Sequence, residues 1–200
     1  MADVWAAPKR FEKVFSEDDR KRVYDYLNQP GWETGWKSNV KRDAYTFLHK
    51  HFAGWREFED GSEPKAYDCE EELGRNSPIV FGAWLSVREK IFGGHRLVRC
   101  YANAMCYGMD GTVHIDSTQP GNFTAVYYPH ERWSPNWGGE TMFYNSTENR
   151  VLGCFYPIPN SAIVFDGRIP HRAAGVSRSY AGTRITLMFK TEKIDADPGH

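Results

Sequence analysis

The sequence predicts a mainly β fold with N-terminal helices: a sandwich or jelly roll supported by helices on one outer face. Three observations predict it. After Gly94, short runs rich in β-branched and aromatic residues alternate with Gly, Pro, Asn or Asp. Before Gly93, apolar residues recur at helical spacing. Aromatic residues make up 15% of the 200 residues, which suits strands and a packed core. Helices gathered ahead of the strands belong on one face of the sheet system.

The elements follow in order. Ser16-Glu17-Asp18-Asp19 has the form of a capping box with Ser16 at the N-cap, and Val23, Tyr26 and Leu27 continue at helical spacing. A weaker helix is expected over Asn39 to His51. The stretch from Gly54 to Asn76 is acidic and reads as a solvated loop, or as a flap over a site. The clearest helix opens at Ser77-Pro78, with proline in the first helical position. Val80, Ala83, Trp84, Val87 and Ile91 make one apolar stripe along it, and Gly93-Gly94 ends it. The expected strands are Leu97–Asn103, Thr112–Asp116, Asn122–Tyr128, Glu140–Asn145, Val151–Tyr156, Ala162–Asp166, His171–Ala174 and Arg184–Lys190. Such a run of short strands suggests a jelly roll. The chain is expected to form one domain, with residues 1–94 as helical support and flap and residues 95–191 as the jelly-roll core.

Composition excludes several classes of function. Lys and Arg total 25 against 26 Asp and Glu, a net charge of −1, so no nucleic-acid partner is expected. The longest apolar run, Ile79 to Leu85, is far short of the ~20 residues that span a bilayer. Met-Ala-Asp-Val-Trp has no basic stretch leading into an apolar one, so no secretory leader is expected. Cys69, Cys100, Cys106 and Cys154 form no CxxC pair. This argues against a cysteine-based zinc site and for reduced thiols in a cytoplasmic protein.

The chemistry lies in the histidines. On a strand, His114 and Asp116 share a face, where an imidazole and a carboxylate converge on one metal. An H-x-D pair alone is weak, since a random order of these residues yields about 0.4 of them. His171 follows, after the strand that ends at Asp166. Two histidines and one carboxylate form the facial triad of non-haem Fe(II) oxygenases, which leaves three positions open. Arg184, on the strand after His171, is either outward and solvated or the fork that holds an anionic cosubstrate. Gly138-Gly139 permits a tight turn or a close backbone approach.

Together these residues resemble the Fe(II)/2-oxoglutarate-dependent dioxygenase superfamily, and most its prolyl-4-hydroxylase-like branch. The likeness is carried by Arg99-Cys100-Tyr101, Tyr107-Gly108 and Thr112-Val113-His114-Ile115-Asp116. It continues in Val126-Tyr127-Tyr128-Pro129, Gly138-Gly139-Glu140-Thr141-Met142-Phe143, Asn160-Ser161-Ala162-Ile163-Val164-Phe165, His171 and Gly182-Thr183-Arg184. The resemblance implies a double-stranded β-helix with iron in its mouth. It implies His114, Asp116 and His171 as Fe(II) ligands, and Arg184 as the partner of the distal carboxylate of 2-oxoglutarate. Arg stands where many members of this branch have Lys, which moves the chain away from collagen-type enzymes. Tyr128 matches a tyrosine that joins the arginine at that carboxylate, and Tyr107 or Tyr101 lines the same pocket. With Asp116 intact, halogenation is not expected.

The reaction so implied consumes 2-oxoglutarate and O₂, releases succinate and CO₂, and hydroxylates an unactivated C–H. Compact size favours an amino acid or other small metabolite as substrate. A prolyl or other side chain of a peptide or protein is the alternative. Pro129–Trp137 reads as a substrate lid, with Arg132 and Trp133 as substrate contacts, or as a surface loop. A non-redox cupin-like metal-binding protein is a further alternative, disfavoured by Arg184. A zinc hydrolase is disfavoured because no general base accompanies the triad.

Overall fold

A computed structural model describes residues 7–39, 41–54, 68–145 and 150–194. Among the described residues ten strands and three α-helices follow one another: β1 (Lys9–Glu12), α1 (Glu17–Leu27), β2 (Glu33–Trp36), β3 (Phe47–Gly54), α2 (Cys69–Asn76), α3 (Pro78–Ile91), β4 (His95–Met105), β5 (Asn122–Tyr128), β6 (Thr141–Tyr144), β7 (Val151–Phe155), β8 (Ser161–Asp166), β9 (His171–Ala173) and β10 (Arg184–Lys193). The strands form a seven-stranded sheet in the order β1-β8-β5-β10-β4-β3-β2 and a three-stranded sheet in the order β7-β6-β9. Every strand pairing within them is antiparallel. The fold is mainly β, a jelly roll with the helices on the outer face of the larger sheet.

Alternation along the strands divides the core in two. On the outer face, Ala102, Ala104, Ala125, Ala162, Ile185, Leu187 and Phe189 pack in one cluster with Val23 and Leu27 of α1 and with Val80, Ala83, Trp84 and Val87 of α3. The small alanines let the helices approach the sheet. Burying each larger side chain contributes about 1.5–3 kcal/mol. On the inner face, Tyr101, Val126, Tyr128, Ile163, Phe165 and Met188 meet Phe143 of the smaller sheet.

Ser16 caps α1 as expected, its hydroxyl accepting from the Asp19 amide at 3.1 Å. Ser77 makes no side-chain cap on α3, because it also ends α2, its amide donating to the Leu73 carbonyl. Three expectations are corrected. The described residues of the expected helix Asn39–His51 are not helical: from Phe47 the chain is strand β3, hydrogen-bonded between β2 and β4. Pairing to β4 outweighs a weak helical periodicity, and Tyr45, before the strand, is 84% exposed. Residues 69–76 of the expected loop are helix α2, begun by Asp68, whose carboxylate accepts from the amides of Glu70 and Glu71. The remainder of that expected flap, 55–67, lies outside the described residues. Thr112–Asp116 is no strand, and it contributes only an isolated bridge at His114.

The N-terminal half also supplies three strands that were not expected as such. β1 pairs with β8, and β2 and β3 extend the far edge. Asn160, at φ 55°, ties the first of these in. Its side-chain amide donates to the Phe15 carbonyl, and its oxygen accepts from the Phe15 amide. No helix among the described residues is long and apolar enough to cross a membrane.

Candidate metal centre and its anion anchor

His114, Asp116 and His171 come together although 57 residues separate the two histidines in sequence. The backbone brings them there. The His114 amide donates to the His171 carbonyl at 3.0 Å, and the His171 amide donates back at 2.9 Å. Their rings lie 4.5 Å apart. One ligand atom from each of the three residues falls within 4.8 Å of the others. His114 Nε2 is 3.6 Å from Asp116 Oδ1, and His171 Nε2 is 3.6 Å from Asp116 Oδ2.

The donor set suits a divalent metal. Nδ1 of His114 lies 2.9 Å from the Thr112 carbonyl, and Nδ1 of His171 lies 2.9 Å from the Ile169 carbonyl. A carbonyl only accepts, so each Nδ1 carries a proton and Nε2 is the ring nitrogen left to face the site. Burial pushes the His171 pKa down to about 4, against the nearby Asp116, so the ring is neutral near pH 7. Burial opposes ionisation of Asp116, but Lys190 and the two histidines outweigh it and hold the carboxyl below its ordinary value. Two imidazoles and a carboxylate are ligands a non-haem Fe(II) site uses.

Asp116 is held at both oxygens. Lys190 donates to Oδ1 at 2.8 Å, and the Thr124 hydroxyl donates to Oδ2 at 2.6 Å. Neither residue was singled out in the sequence. The signal was present: Arg184, Thr186, Met188 and Lys190 alternate on one strand face, and a cation on an inward face needs a partner.

Arg184 points inward and is 2% exposed. Burial lowers its pKa, with Tyr128 opposing. Its Nε donates to the Gly139 carbonyl at 2.6 Å and its Nη2 to Thr141 Oγ1 at 3.4 Å. The guanidinium lies 5.5 Å from the Tyr128 ring centre, and the Tyr128 hydroxyl is 2.6 Å from Thr141 Oγ1. Gly139 has φ +77°, and a Cβ there would lie 2.7 Å from Arg184 Cδ. The Gly-Gly pair therefore serves close approach. Thr141 was quoted in the motif without a role. Two residues further along β6, on the same face, Phe143 pairs with His171. That is ~7 Å along the strand.

Tyr101 is inward and buried, but it packs on the Asp116 side. Arg99 lies 4.8 Å and Lys190 5.7 Å from its ring centre. Trp36 stacks on His49 at 3.8 Å and, with Arg99 at 5.0 Å, extends this wall. Tyr107 is 65% exposed at the rim, its backbone bridged to Val176, and the structure does not bring it to Arg184. The segment expected as a lid is folded down. Trp133 is buried, donates its indole N–H to the Gly138 carbonyl, and packs against Gly139 and Tyr180. It backs the turn beside Arg184 and does not face solvent as a substrate contact would. Arg132 is exposed on the same loop.

A family profile described as the 2OG-Fe(II) oxygenase superfamily matches residues 102–189. No curated protein sequence matches the chain significantly. Solved structures do. A Pseudomonas putida prolyl-4-hydroxylase is 16% identical, covers 93% of this chain and 92% of its own, and superposes with TM-score 0.56. An oxidoreductase of the 2OG-Fe(II) oxygenase family from Burkholderia pseudomallei is 16% identical over 92% of this chain and 84% of its own, with TM-score 0.63. A Trichoplax adhaerens prolyl hydroxylase, solved with a peptide fragment of the oxygen degradation domain of hypoxia inducible factor, is 17% identical over 93% and 83%, with TM-score 0.57.

Proposed function

Residues 102–189 of this chain belong to the 2OG-Fe(II) oxygenase superfamily, and from that premise we propose which residues run the reaction and on what substrate. The enzyme is a dioxygenase that uses Fe(II), 2-oxoglutarate and O₂. His114, Asp116 and His171 hold the iron. The observation that carries this is the convergence of the two Nε2 atoms and the Asp116 carboxylate. When bound, the iron activates O₂ at the expense of 2-oxoglutarate, which leaves as succinate and CO₂.

The chain's own residues orient and exclude. Arg184 takes the distal carboxylate of 2-oxoglutarate, its guanidinium presented by Gly139, Thr141 and Tyr128. Among the described residues no carboxylate forms an ion pair with this buried guanidinium, Glu140 acting on it only at a distance, and a ligand carboxylate supplies the missing anion. Phe143 and Phe165 pack against the His171 ring and keep water from it. Tyr101 packs beside Lys190 on the Asp116 side of the site. The four cysteines are all free, which fits a cytoplasmic setting.

The substrate is an amino acid or other small metabolite. A prolyl side chain in a peptide is the second reading, supported by the peptide complex of the Trichoplax protein. Succinate formation with Fe(II), measured across free amino acids, metabolites and prolyl peptides, separates them. Turnover stimulated only by prolyl peptides would replace the first reading with the second.

A further inference from the structure

Strand β10 carries a second inward cation, Lys190, six residues beyond Arg184. Its side chain is 17% exposed, and its ammonium sits on Asp116. Lys190 is the register partner of Thr124 on β5, so the two side chains stand side by side on one face. This neighbouring pair divides the Asp116 carboxylate between them, with Lys190 on Oδ1 and Thr124 on Oδ2. The Asp116 amide is fixed as well, donating to the Gly167 carbonyl at 2.8 Å. On its other side Lys190 is in register with Arg99 on β4, a like-charge pair across the strands. Such a pair is destabilising by itself, so the placement of the ammonium calls for a function at the carboxylate.

We propose that Lys190 is a positioning residue for Asp116, limiting it to one metal-bound oxygen and keeping the other coordination positions open. The proposal rests on the reading of Asp116 as a metal ligand. A carboxylate has about four lone-pair sites. Oδ2 carries a neutral hydroxyl and keeps room for a cation, whereas Oδ1 carries an ammonium that repels one. Partners of this kind orient a ligand as well as hold it. The same charge weakens the attraction between the site and a divalent metal.

The two donors therefore make opposite predictions. In Co(II) titrations of the metal-free protein, Lys190→Met binds Co(II) about 5-fold tighter. 2-Oxoglutarate binds the Co(II)-loaded variant about 10-fold more weakly, because a second Asp116 oxygen occupies a position it needs, and the Co(II) absorption spectrum changes. Lys190→Arg restores all three readings. Thr124→Val, which removes a donor without removing charge, weakens Co(II) binding. Should Lys190→Met fail to fold, Lys190→Gln removes the charge and keeps a hydrogen-bond donor, and the same result is expected of it. Unchanged Co(II) affinity, spectrum and 2-oxoglutarate binding in the charge-removing variant would overturn the proposal. So would equal weakening of Co(II) binding at both positions, the result of a merely structural role. A His114→Ala variant that binds Co(II) as the wild type does would instead refute the metal reading itself.

Discussion

His114 and His171 exchange both of their backbone hydrogen bonds, at 3.0 and 2.9 Å, outside any regular strand pair. The bridge fixes the distance between two imidazoles that arrive from distant parts of the chain. Each ring is then set by the carbonyl two residues before it. Little is left to be organised by a metal. His114→Ala or His171→Ala should lower Fe(II) affinity by more than ~100-fold, beyond the roughly 10–100-fold typical of losing an outer partner. Succinate formation should disappear at ordinary Fe(II) concentration. Retained turnover in either variant would remove that histidine from the site.

Arg184 is the buried cation facing the Tyr128–Thr141 pair. Removing one partner of a buried, hydrogen-bonded charge pair costs about 2–5 kcal/mol. Arg184→Ala should raise the KM for 2-oxoglutarate at least ~30-fold, with Fe(II) affinity little changed. Arg184→Lys should recover part of the loss, since it keeps the charge and loses the fork. An unchanged KM in Arg184→Ala would exclude it as the anchor.

Gly139 offers a test that touches no charge. A methyl group there meets Arg184 Cδ at 2.7 Å and Nε at 3.0 Å, and the φ of +77° disfavours any side chain. Gly139→Ala should therefore push the guanidinium away from Thr141. The expected result is a raised KM for 2-oxoglutarate, smaller than that of Arg184→Ala, with Co(II) binding preserved. A variant with wild-type KM would show that the turn does not position the arginine.

Much of this site was legible because its parts lie close in sequence or obey strand alternation. His114 and Asp116 are two residues apart, and Asn122–Tyr128 was read with the bounds it has. The N-cap at Ser16 and the proline start of α3 are local signals, decided within one turn. What was missed depends on pairing. Phe47–Gly54 is a strand because β2 and β4 flank it, and nothing in its own composition required that. Trp133 looked like a lid residue because an aromatic in a loop reads the same whether it faces solvent or packs beneath it. Lys190 and Thr124 share Asp116 only through the register of β10 on β5, a long-range fact.

His130 predicts how the metal-free protein responds to acid. It is buried, its Nε2 accepts from the Ile185 amide at 2.9 Å, and it packs against Tyr24 and Trp133. Burial, with Arg184 and Arg20 nearby, pushes its pKa down to about 3 from the ordinary 6.5, although the Ile185 hydrogen bond pulls upward. The unfolded chain takes up the proton first as pH falls. Its contribution to stability is thus complete above about 6.5 and is lost progressively from there down to about 3. Between pH 7 and 5 the loss from this one group is about 2 kcal/mol. His130→Gln keeps an acceptor for the Ile185 amide and does not titrate. Urea denaturation at pH 7 and pH 5 should show wild type losing about 2 kcal/mol more than the variant over that interval. Equal losses in the two proteins would mean that His130 carries its proton in the native state.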